Sequence, residues 1–307
     1  SPPDVHVVAG IIAVPAGVTL TVEPGTVVKF LDGAGSAVQA GGSLVANGVV
    51  FTHINDDTVG GDTNLDGDAS VPRYGTWSLI TGGPVDYDDD TEFRYHPALF
   101  GATLAGALAQ DERWWGWGVF HITGTVHIPD GITLTLEPGA ILKFDPGTTL
   151  VVEEGGSLVA EGTSGLPIVL TSIRDDAYGG DTNADGGDSE PAPGDWWEMS
   201  IAGDAEFDHC RVLFGGDGGS VVSLGSGANT RVSNTLIRDG LYDALYSLQS
   251  RLVVDSSVFM DCARGPNIIA GHATFVNCVS YGCRWGLMAH GGKVDVVNAS
   301  ISHFGQY

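Results

Sequence analysis

The stretch that decides the fold occurs twice in the chain. It is Pro-Ala-Gly-Val-Thr-Leu-Thr-Val-Glu-Pro-Gly at 15–25 and Pro-Asp-Gly-Ile-Thr-Leu-Thr-Leu-Glu-Pro-Gly at 129–139. The match around it runs without a gap from 5–46 onto 119–160. A long internal repeat indicates a repeat architecture, in which each unit buries its apolar face against its neighbours.

Apolar residues within each copy form short alternating runs that end at Gly, Pro, Asn or Asp, as in Thr19–Val22. Such runs are typical of short β-strands separated by turns. Beyond residue 230 a finer period of 21 or 22 residues starts at 234, 256, 277 and 298. Three strands and three turns fit into that length, and such coils stack about 4.8 Å apart. The sequence therefore predicts an all-β fold, a parallel β-solenoid.

The region between the two copies has a different composition. Residues 102–113 are helix-like, and three tryptophans follow at 114, 115 and 117. We expect a short helix and an aromatic plug at 102–118, between β-helical segments at 1–101 and 119–307. Either two solenoids stack end to end, or one continuous stack carries the helix as an insertion.

A second duplicated string, at 60–67 and 179–186, reads Gly-Gly-Asp-Thr-Asn-x-Asp-Gly. In Asp-x-Asn-x-Asp-Gly, alternate side-chain oxygens point to one side of a tight turn, as in the first half of an EF-hand calcium loop. The bidentate Glu of an EF-hand is missing, since Arg73 and Ala192 stand at that position, so neighbouring acids must complete the shell. The alternative is a solvated acidic loop. The predicted Ca²⁺ ligands are Asp56, Asp57, Asp62, Asn64, Asp66 and Asp68 in the first copy, and Asp175, Asp176, Asp181, Asn183, Asp185 and Asp188 in the second.

Several of these strings also point to a family. Thr-Leu-Thr-x-Glu-Pro-Gly, Lys-Phe, Gly-Gly-Ser-Leu and the acidic loop with its following Gly-x-Trp resemble secreted and surface-displayed bacterial or archaeal proteins of the pectate-lyase-like superfamily. The resemblance covers nearly the whole chain and implies a right-handed parallel β-helix. It leaves the activity open, because that superfamily contains polysaccharide lyases and hydrolases as well as adhesins and passive surface proteins.

The composition favours an extracellular or cell-surface location. With 13 basic and 38 acidic residues the formal net charge is −25. Such a surface repels nucleic acid and anionic membrane and attracts divalent cations. No stretch approaches the roughly 20 apolar residues of a membrane span. No signal peptide is present, so we expect a mature or trimmed segment.

Four cysteines lie in the second half, and Cys262 and Cys283 are one coil apart. Stacking would bring these two within disulfide reach, or they would belong to a ladder of buried thiols. Trp77 and Trp196 follow the acidic loops and are expected to pin them to the solenoid. For Trp114 we expect junction packing, with a sugar platform as the alternative. An inward amide ladder is predicted at Asn234, Asn277 and Asn298.

Two sets of polar residues recur with the coil period. Arg251, His272 and Lys293 would form a basic ladder, either a landing strip for an acidic glycan or turn residues compensated by nearby acids. Asp239, Asp261 and His303 recur near another corner, with Arg284 close in register. Paired carboxylates serve glycoside hydrolysis, and an arginine flanked by acids serves β-elimination. The sequence does not fix any carboxylate pair at a catalytic separation.

Two function classes therefore stay open. One is a calcium-stabilised, non-catalytic surface or matrix module that binds a polysaccharide or cell-surface polymer, or copies of itself. The other is a polysaccharide lyase or glycoside hydrolase. The last coil, 294–301, is as apolar as those before it, so we expect either a longer parent protein or self-association through this coil.

Overall fold

The chain folds into β-strands only. The structure is a computed structural model that describes residues 4–67, 69–70, 72, 77–81, 85–87, 91–94, 104–114, 119–183, 185 and 187–301. No helix occurs among these residues. The strands fall into two compact units, one that holds the strands from Asp4 to Phe93 and one that holds those from Leu104 to Ile301.

The first unit contains ten short strands. They are β1 (Asp4–Val8), β2 (Ile11–Val14), β3 (Thr19–Val22), β4 (Thr26–Phe30), β5 (Gly35–Val38), β6 (Ser43–Ala46), β7 (Val50–His53), β8 (Ser78–Thr81), β9 (Val85–Tyr87) and β10 (Glu92–Phe93). Every third strand pairs in parallel, which gives the sheets β1-β4-β7-β10, β2-β5-β8 and β3-β6-β9. Three strands therefore make one coil.

The second unit repeats the same winding over more coils. Its strands are β11 (Leu104–Ala107), β12 (Glu112–Trp114), β13 (Val119–Ile128), β14 (Thr133–Leu136), β15 (Ile141–Phe144), β16 (Thr149–Val152), β17 (Ser157–Glu161), β18 (Ile168–Ser172), β19 (Glu198–Ile201), β20 (Asp204–Asp208), β21 (Cys210–Leu213), β22 (Ser220–Leu224), β23 (Asn229–Ser233), β24 (Leu236–Arg238), β25 (Asp243–Ser247), β26 (Ser250–Asp255), β27 (Val258–Met260), β28 (Arg264–Ile268), β29 (Gly271–Val276), β30 (Val279–Tyr281), β31 (Met288–Ala289), β32 (Lys293–Val297) and β33 (Ser300–Ile301).

These strands form two sheets, because the ten-residue β13 is shared between two faces of the coil. One sheet runs β12-β14-β17-β20-β23-β26-β29-β32. The other runs from β31 through β28, β25, β22, β19 and β16 to β13, and continues through β15, β18, β21, β24, β27 and β30 to β33. The predicted parallel β-solenoid is confirmed. Its right-handed winding stays a prediction.

The core of each coil comes from alternate positions of the strands. Leu134 pairs with Leu158, which pairs with Ala205, and all three side chains are buried. Successive side chains of a strand point to opposite faces, so an in-register stack turns one apolar position into a continuous interior column. Burying a leucine in such a column contributes about 1.5–3 kcal/mol.

The corners of the coils use residues that tolerate a left-handed backbone. Asn234, Asn277 and Asn298 have φ near 50°, a conformation that asparagine adopts more readily than most residues. Their side chains are exposed, and Asn298 Nδ2 donates to Asn277 Oδ1 at 2.6 Å. The amide ladder therefore exists in part, but its predicted inward direction is wrong, because the corner turns these side chains outward.

The helix predicted between the two copies is wrong for the residues that the structure describes. Leu104–Ala107 and Glu112–Trp114 are strands β11 and β12, paired in parallel with β13 and β14. A register shift occurs between Leu104 and Gly106, and Gly106 has a φ of 98°. Pairing to the next coil outweighs the helix propensity of the alanines. Trp115 and Trp117 lie outside the described residues.

Among the described residues, the structure contains no helix long and apolar enough to cross a bilayer.

Candidate metal centres

Each duplicated acidic loop follows a strand and gathers three carboxylates. The first leaves β7 and brings together Asp57, Asp62 and Asp66, with one oxygen of each within 4.8 Å of the others. The second leaves β18 and brings together Asp176, Asp181 and Asp185 in the same way. The two clusters match residue for residue in the repeat. The repeated loop sequence therefore gives the same arrangement of three carboxylates in both copies.

The asparagine of each loop is hydrogen-bonded to the carboxylate cluster. Asn64 Nδ2 donates to Asp66 Oδ2 at 2.9 Å and to Ser70 Oγ at 3.0 Å. Asn183 Nδ2 donates to Asp185 Oδ2 at 2.8 Å and to Ser189 Oγ at 3.1 Å. With the nitrogen used in this way, Oδ1 of both asparagines is buried and accepts no hydrogen bond from the described residues. A buried carbonyl oxygen without a donor is costly, and a cation would satisfy it.

The backbone of the loops orients these carboxylates. In the first loop the amides of Asp66 and Gly67 donate to Asp62 at 3.2 and 2.9 Å. Gly67 has a φ of 63°, so the glycine of the motif makes the expected turn. Leu65 also has a positive φ, 60°, and is 86% exposed. The tight turn therefore holds a non-glycine residue in an unfavourable conformation.

Asp185 in the second loop has close polar neighbours. The hydroxyl of Ser189 donates to it, and the amides of Gly187 and Asp188 donate at 2.8 and 3.0 Å. These bonds, that of Ser189 most of all, hold the pKa of the Asp185 carboxyl below its ordinary value. Asp185 is therefore ionised at neutral pH, as a metal ligand must be.

Three predicted ligands lie apart from the acid clusters, and one lies outside the described residues. Asp56 Oδ2 accepts from Thr52 Oγ1 at 2.6 Å, and Asp175 Oδ2 accepts from Thr171 Oγ1 at 2.5 Å. Both aspartates are buried and also accept a backbone amide two residues on, so they stabilise the turn that starts each loop. Asp188 is exposed, and its amide donates to Asp185. Asp68 is the ligand outside the described residues.

A buried lysine lies beneath the first loop. Lys29 is fully buried in β4, and its Nζ donates to the carbonyls of Asp56 at 2.7 Å and Gly61 at 2.6 Å. Burial lowers the Lys29 pKa, while nearby aspartates oppose that effect. Lys143 is its repeat partner and is also fully buried. Sequence reasoning gave these lysines no role, although the signal existed, since two of only three lysines occur in apolar strands at matching repeat positions.

The tryptophan after each loop anchors it, as predicted. Trp77 stacks on Phe30 with ring centroids 4.3 Å apart, and Trp196 stacks on Phe144 at 4.5 Å. Both indoles are buried, and each Nε1 donates to a backbone carbonyl. Trp114 is likewise buried and stacks on Phe120. These tryptophans are packing residues, and none of the three offers a ring face to a sugar.

Two of the catalytic candidates occupy one corner of the second unit. Asp239 and Asp261 lie at equivalent positions of neighbouring coils, with φ of 55° and 52°. Arg238 Nε donates to Asp239 Oδ2 at 2.7 Å. Arg284 lies over the ring of Trp285, 4.6 Å from its centroid. His303 lies outside the described residues. A catalytic role for any of the four stays a prediction.

The three residues of the predicted basic ladder lie opposite one another on neighbouring strands. Arg251 pairs with His272, which pairs with Lys293. Asp295 accepts from His272 Nε2 at 3.0 Å and from Lys293 Nζ at 2.6 Å. Two of the three bases are therefore hydrogen-bonded to one acid, which favours the compensated alternative. The three residues lie on strands β26, β29 and β32, not in turns.

The cysteines are buried free thiols. Cys262 and Cys283 follow β27 and β30 in neighbouring coils, and their thiols donate to the backbone carbonyls of Met260 and Tyr281. The structure therefore has the second of the two predicted alternatives, a buried thiol ladder, in place of a disulfide.

Three carboxylate oxygens converge in each loop, and the neighbouring asparagine keeps a buried Oδ1 that accepts no hydrogen bond from the described residues. Oxygen-only sites of this kind suit hard cations, and Ca²⁺ completes six to eight ligands with backbone carbonyls and water. Among the described residues, both clusters consist of carboxylates alone, which favours a hard cation over zinc. Comparison with protein-family models, with curated proteins and with solved structures finds no match to the chain.

Proposed function

We propose that this chain is an extracellular β-solenoid module that two Ca²⁺ ions stabilise, with a structural, adhesive or self-assembling role at a cell surface or in a matrix. The observation that carries the proposal is the matched pair of loops. Each combines three clustered carboxylates with a buried amide oxygen that accepts no hydrogen bond from the described residues. Both copies of the repeat keep the three clustered carboxylates and the asparagine.

The role of the ion follows from electrostatics. Three carboxylates held within 4.8 Å repel one another. The bases beside the first loop contact other groups: Lys29 donates to the carbonyls of Asp56 and Gly61, and Arg94 Nη1 lies 3.6 Å from Asp56 Oδ2. A divalent cation would remove this repulsion and bind both ends of a loop together. Because that loop joins two coils, we expect the ion to stabilise the stack as a whole.

The location is proposed on the same basis. Extracellular media contain millimolar calcium, and extracellular calcium modules bind it with dissociation constants of about 10⁻⁴–10⁻³ M. The resemblance to right-handed β-helical surface proteins is a hypothesis that agrees with this location.

A melting experiment tests the calcium proposal. Calcium that binds only the folded state adds RT ln(1 + [L]/Kd), about 2.7 kcal/mol at a hundredfold excess over Kd. The melting temperature is expected to rise by several degrees when calcium replaces chelator. Magnesium at the same concentration serves as the control for ionic strength. Equal melting temperatures in calcium and chelator would refute the proposal.

A second candidate function is a carbohydrate-active enzyme. It is favoured by one observation, a cleft of about 450 Å³ in the second unit, lined by Arg174, Asp176, Tyr178, Glu190 and Arg238 among others. Arg174 is held by Asp195 at 2.9 Å and Arg238 by Asp239 at 2.7 Å. Neither guanidinium is therefore an unopposed charge. A screen of acidic and neutral polysaccharides for new reducing ends or unsaturated products decides between the two functions.

A further inference from the structure

One buried ammonium group ties together the two ends of the first acidic loop. Lys29 Nζ donates to the carbonyl of Asp56 at 2.7 Å, just after β7, and to the carbonyl of Gly61 at 2.6 Å, directly before Asp62. The side chain is fully buried in β4. Hydrogen bonds from a charged donor are stronger than neutral ones. Lys29 therefore fixes the backbone on both sides of the segment that carries Asp57.

The Gly-Gly pair of the motif makes room for this lysine. Gly60 has a φ of 70°, and a Cβ added there would lie 3.3 Å from Lys29 Cε. A larger residue would be strained at that φ and would press on the lysine stem just before Gly61. The second copy keeps glycines at 179–180, both with φ near 70°, and a fully buried lysine, Lys143. The duplicated glycines therefore accompany a duplicated buried lysine.

The same ammonium is a counter-charge for the acid cluster. Burial lowers the pKa of Lys29. The carboxylates that oppose this effect by attraction are those of Asp56, Asp57 and Asp62. Asp56 is also close to a second base, since Arg94 Nη1 lies 3.6 Å from its Oδ2. Asp57 and Asp62 belong to the cluster, so the charge of Lys29 acts on the group of carboxylates that would hold the ion.

The charge of this group has a consequence for the choice of ion. Three carboxylates and one ammonium leave a local charge of −2. A divalent cation neutralises that charge, whereas a trivalent cation leaves one positive charge in excess. The ammonium also repels a trivalent ion more strongly than a divalent one. At an effective dielectric constant of about 20, two unit charges about 10 Å apart change an equilibrium constant by about tenfold.

We propose that Lys29 sets the charge preference of the first loop, so that the loop accepts a divalent cation and discriminates against a trivalent one. Lys143, at the matching position of β15, is the corresponding residue of the second loop. The proposal rests on the calcium-binding function given above and adds a specificity-determining residue to it.

The charge preference is measured with Ca²⁺ and Tb³⁺, which have nearly the same radius and differ in charge. Asp181→Asn with Asp185→Asn first disables the second loop, and calorimetry then gives both dissociation constants of the first. Lys29→Met, which keeps the apolar stem and removes the charge, should raise the ratio of the Ca²⁺ to the Tb³⁺ dissociation constant about tenfold. Lys29→Gln, which keeps a hydrogen-bond donor without the charge, should raise it similarly.

The ratio separates charge from structure. Loss of loop order weakens the binding of both ions alike and leaves the ratio unchanged. Lys143→Met is the matched control, because it removes an equally buried lysine from the other copy and should leave the ratio of the first loop unaltered. An unchanged ratio in both Lys29 variants, or an equal shift in Lys143→Met, would overturn the proposal.

A second measurement needs no metal. Unfolding in chelator of Lys29→Met, Asp62→Asn and the double variant forms a double-mutant cycle. Attraction between the two charges predicts that the double variant loses less stability than the two single losses together. If the unmodified chain binds no calcium, the calcium function fails and this cycle alone decides the role of Lys29: coupling supports the counter-charge, and additivity overturns it. Calcium binding with an unchanged ratio overturns the charge preference alone.

Discussion

Replacing Trp196 by alanine should be among the most destabilising single changes in the chain. The indole is fully buried, stacks on Phe144 at 4.5 Å and donates to the Leu213 carbonyl at 2.8 Å. Gly215 lies against the same ring, since a Cβ there would come within 2.7 Å of it. Truncating a buried tryptophan to alanine costs about 3–5 kcal/mol. At about 2–4 °C per kcal/mol for a domain of roughly this size, the melting temperature falls by roughly 6–20 °C.

Two further variants show which features of Trp196 account for this loss of stability. Trp196→Phe keeps a ring over Phe144 but loses the N–H that bonds the Leu213 carbonyl and part of the buried ring, and should cost about 1–3 kcal/mol. Trp197→Ala removes the neighbouring, 43% exposed tryptophan and should stay within about 1 kcal/mol of the unmodified chain. Chemical and thermal unfolding, followed by circular dichroism in saturating calcium, measures all three. Equal losses for Trp196→Ala and Trp197→Ala would refute the assignment of Trp196 as the core anchor of the second loop.

Three further outcomes are expected. Leu65→Asn should stabilise the first loop by up to about 1 kcal/mol, because asparagine tolerates the left-handed backbone that Leu65 holds at a φ of 60°; a lower calcium affinity would contradict this. Burial raises the pKa of Glu198, so the folded state holds its proton more tightly than the unfolded state, and stability falls as pH rises through the interval between the two pKa values. Glu198→Gln should therefore stabilise the protein at pH 7 and have no effect below the ordinary glutamate pKa, as urea titrations at several pH values will show. Val296 and Ile301 are exposed in the last described coil, so Val296→Asp should reduce any self-association seen by light scattering, and an unchanged mass distribution of an associating chain would argue against that surface.

The repeat made the solenoid predictable. Matching strings at 15–25 and 129–139 place Leu20 and Leu134 at equivalent positions of β3 and β14, and period-two alternation then separates inward from outward side chains. The junction was not predictable in this way. Residues 104–107 have the composition of a helix, yet they form β11 because the edge of β13 offers backbone partners. Propensity within one segment carries no information about such an edge.

The metal loops were predictable only as a set of acids. Spacing identified Asp62, Asn64 and Asp66, whose side chains do converge. It could not separate Asp57 from Asp56, which are adjacent in the chain. Asp57 joins the cluster, whereas Asp56 folds back onto Thr52 and the amide of Thr58. That difference arises from the direction of the chain at the end of β7, which only the three-dimensional turn reveals.

The number of calcium ions bound per chain shows whether both loops are metal sites. Calorimetry and elemental analysis should give two Ca²⁺ ions per intact chain, one for Asp62→Asn with Asp66→Asn, and one for Asp181→Asn with Asp185→Asn. The combined four-residue variant should bind none, and Asp204→Asn, which removes an exposed acid outside both loops, should still bind two. A chain that binds no calcium, or one whose stoichiometry is unaffected by the loop substitutions, would contradict the account.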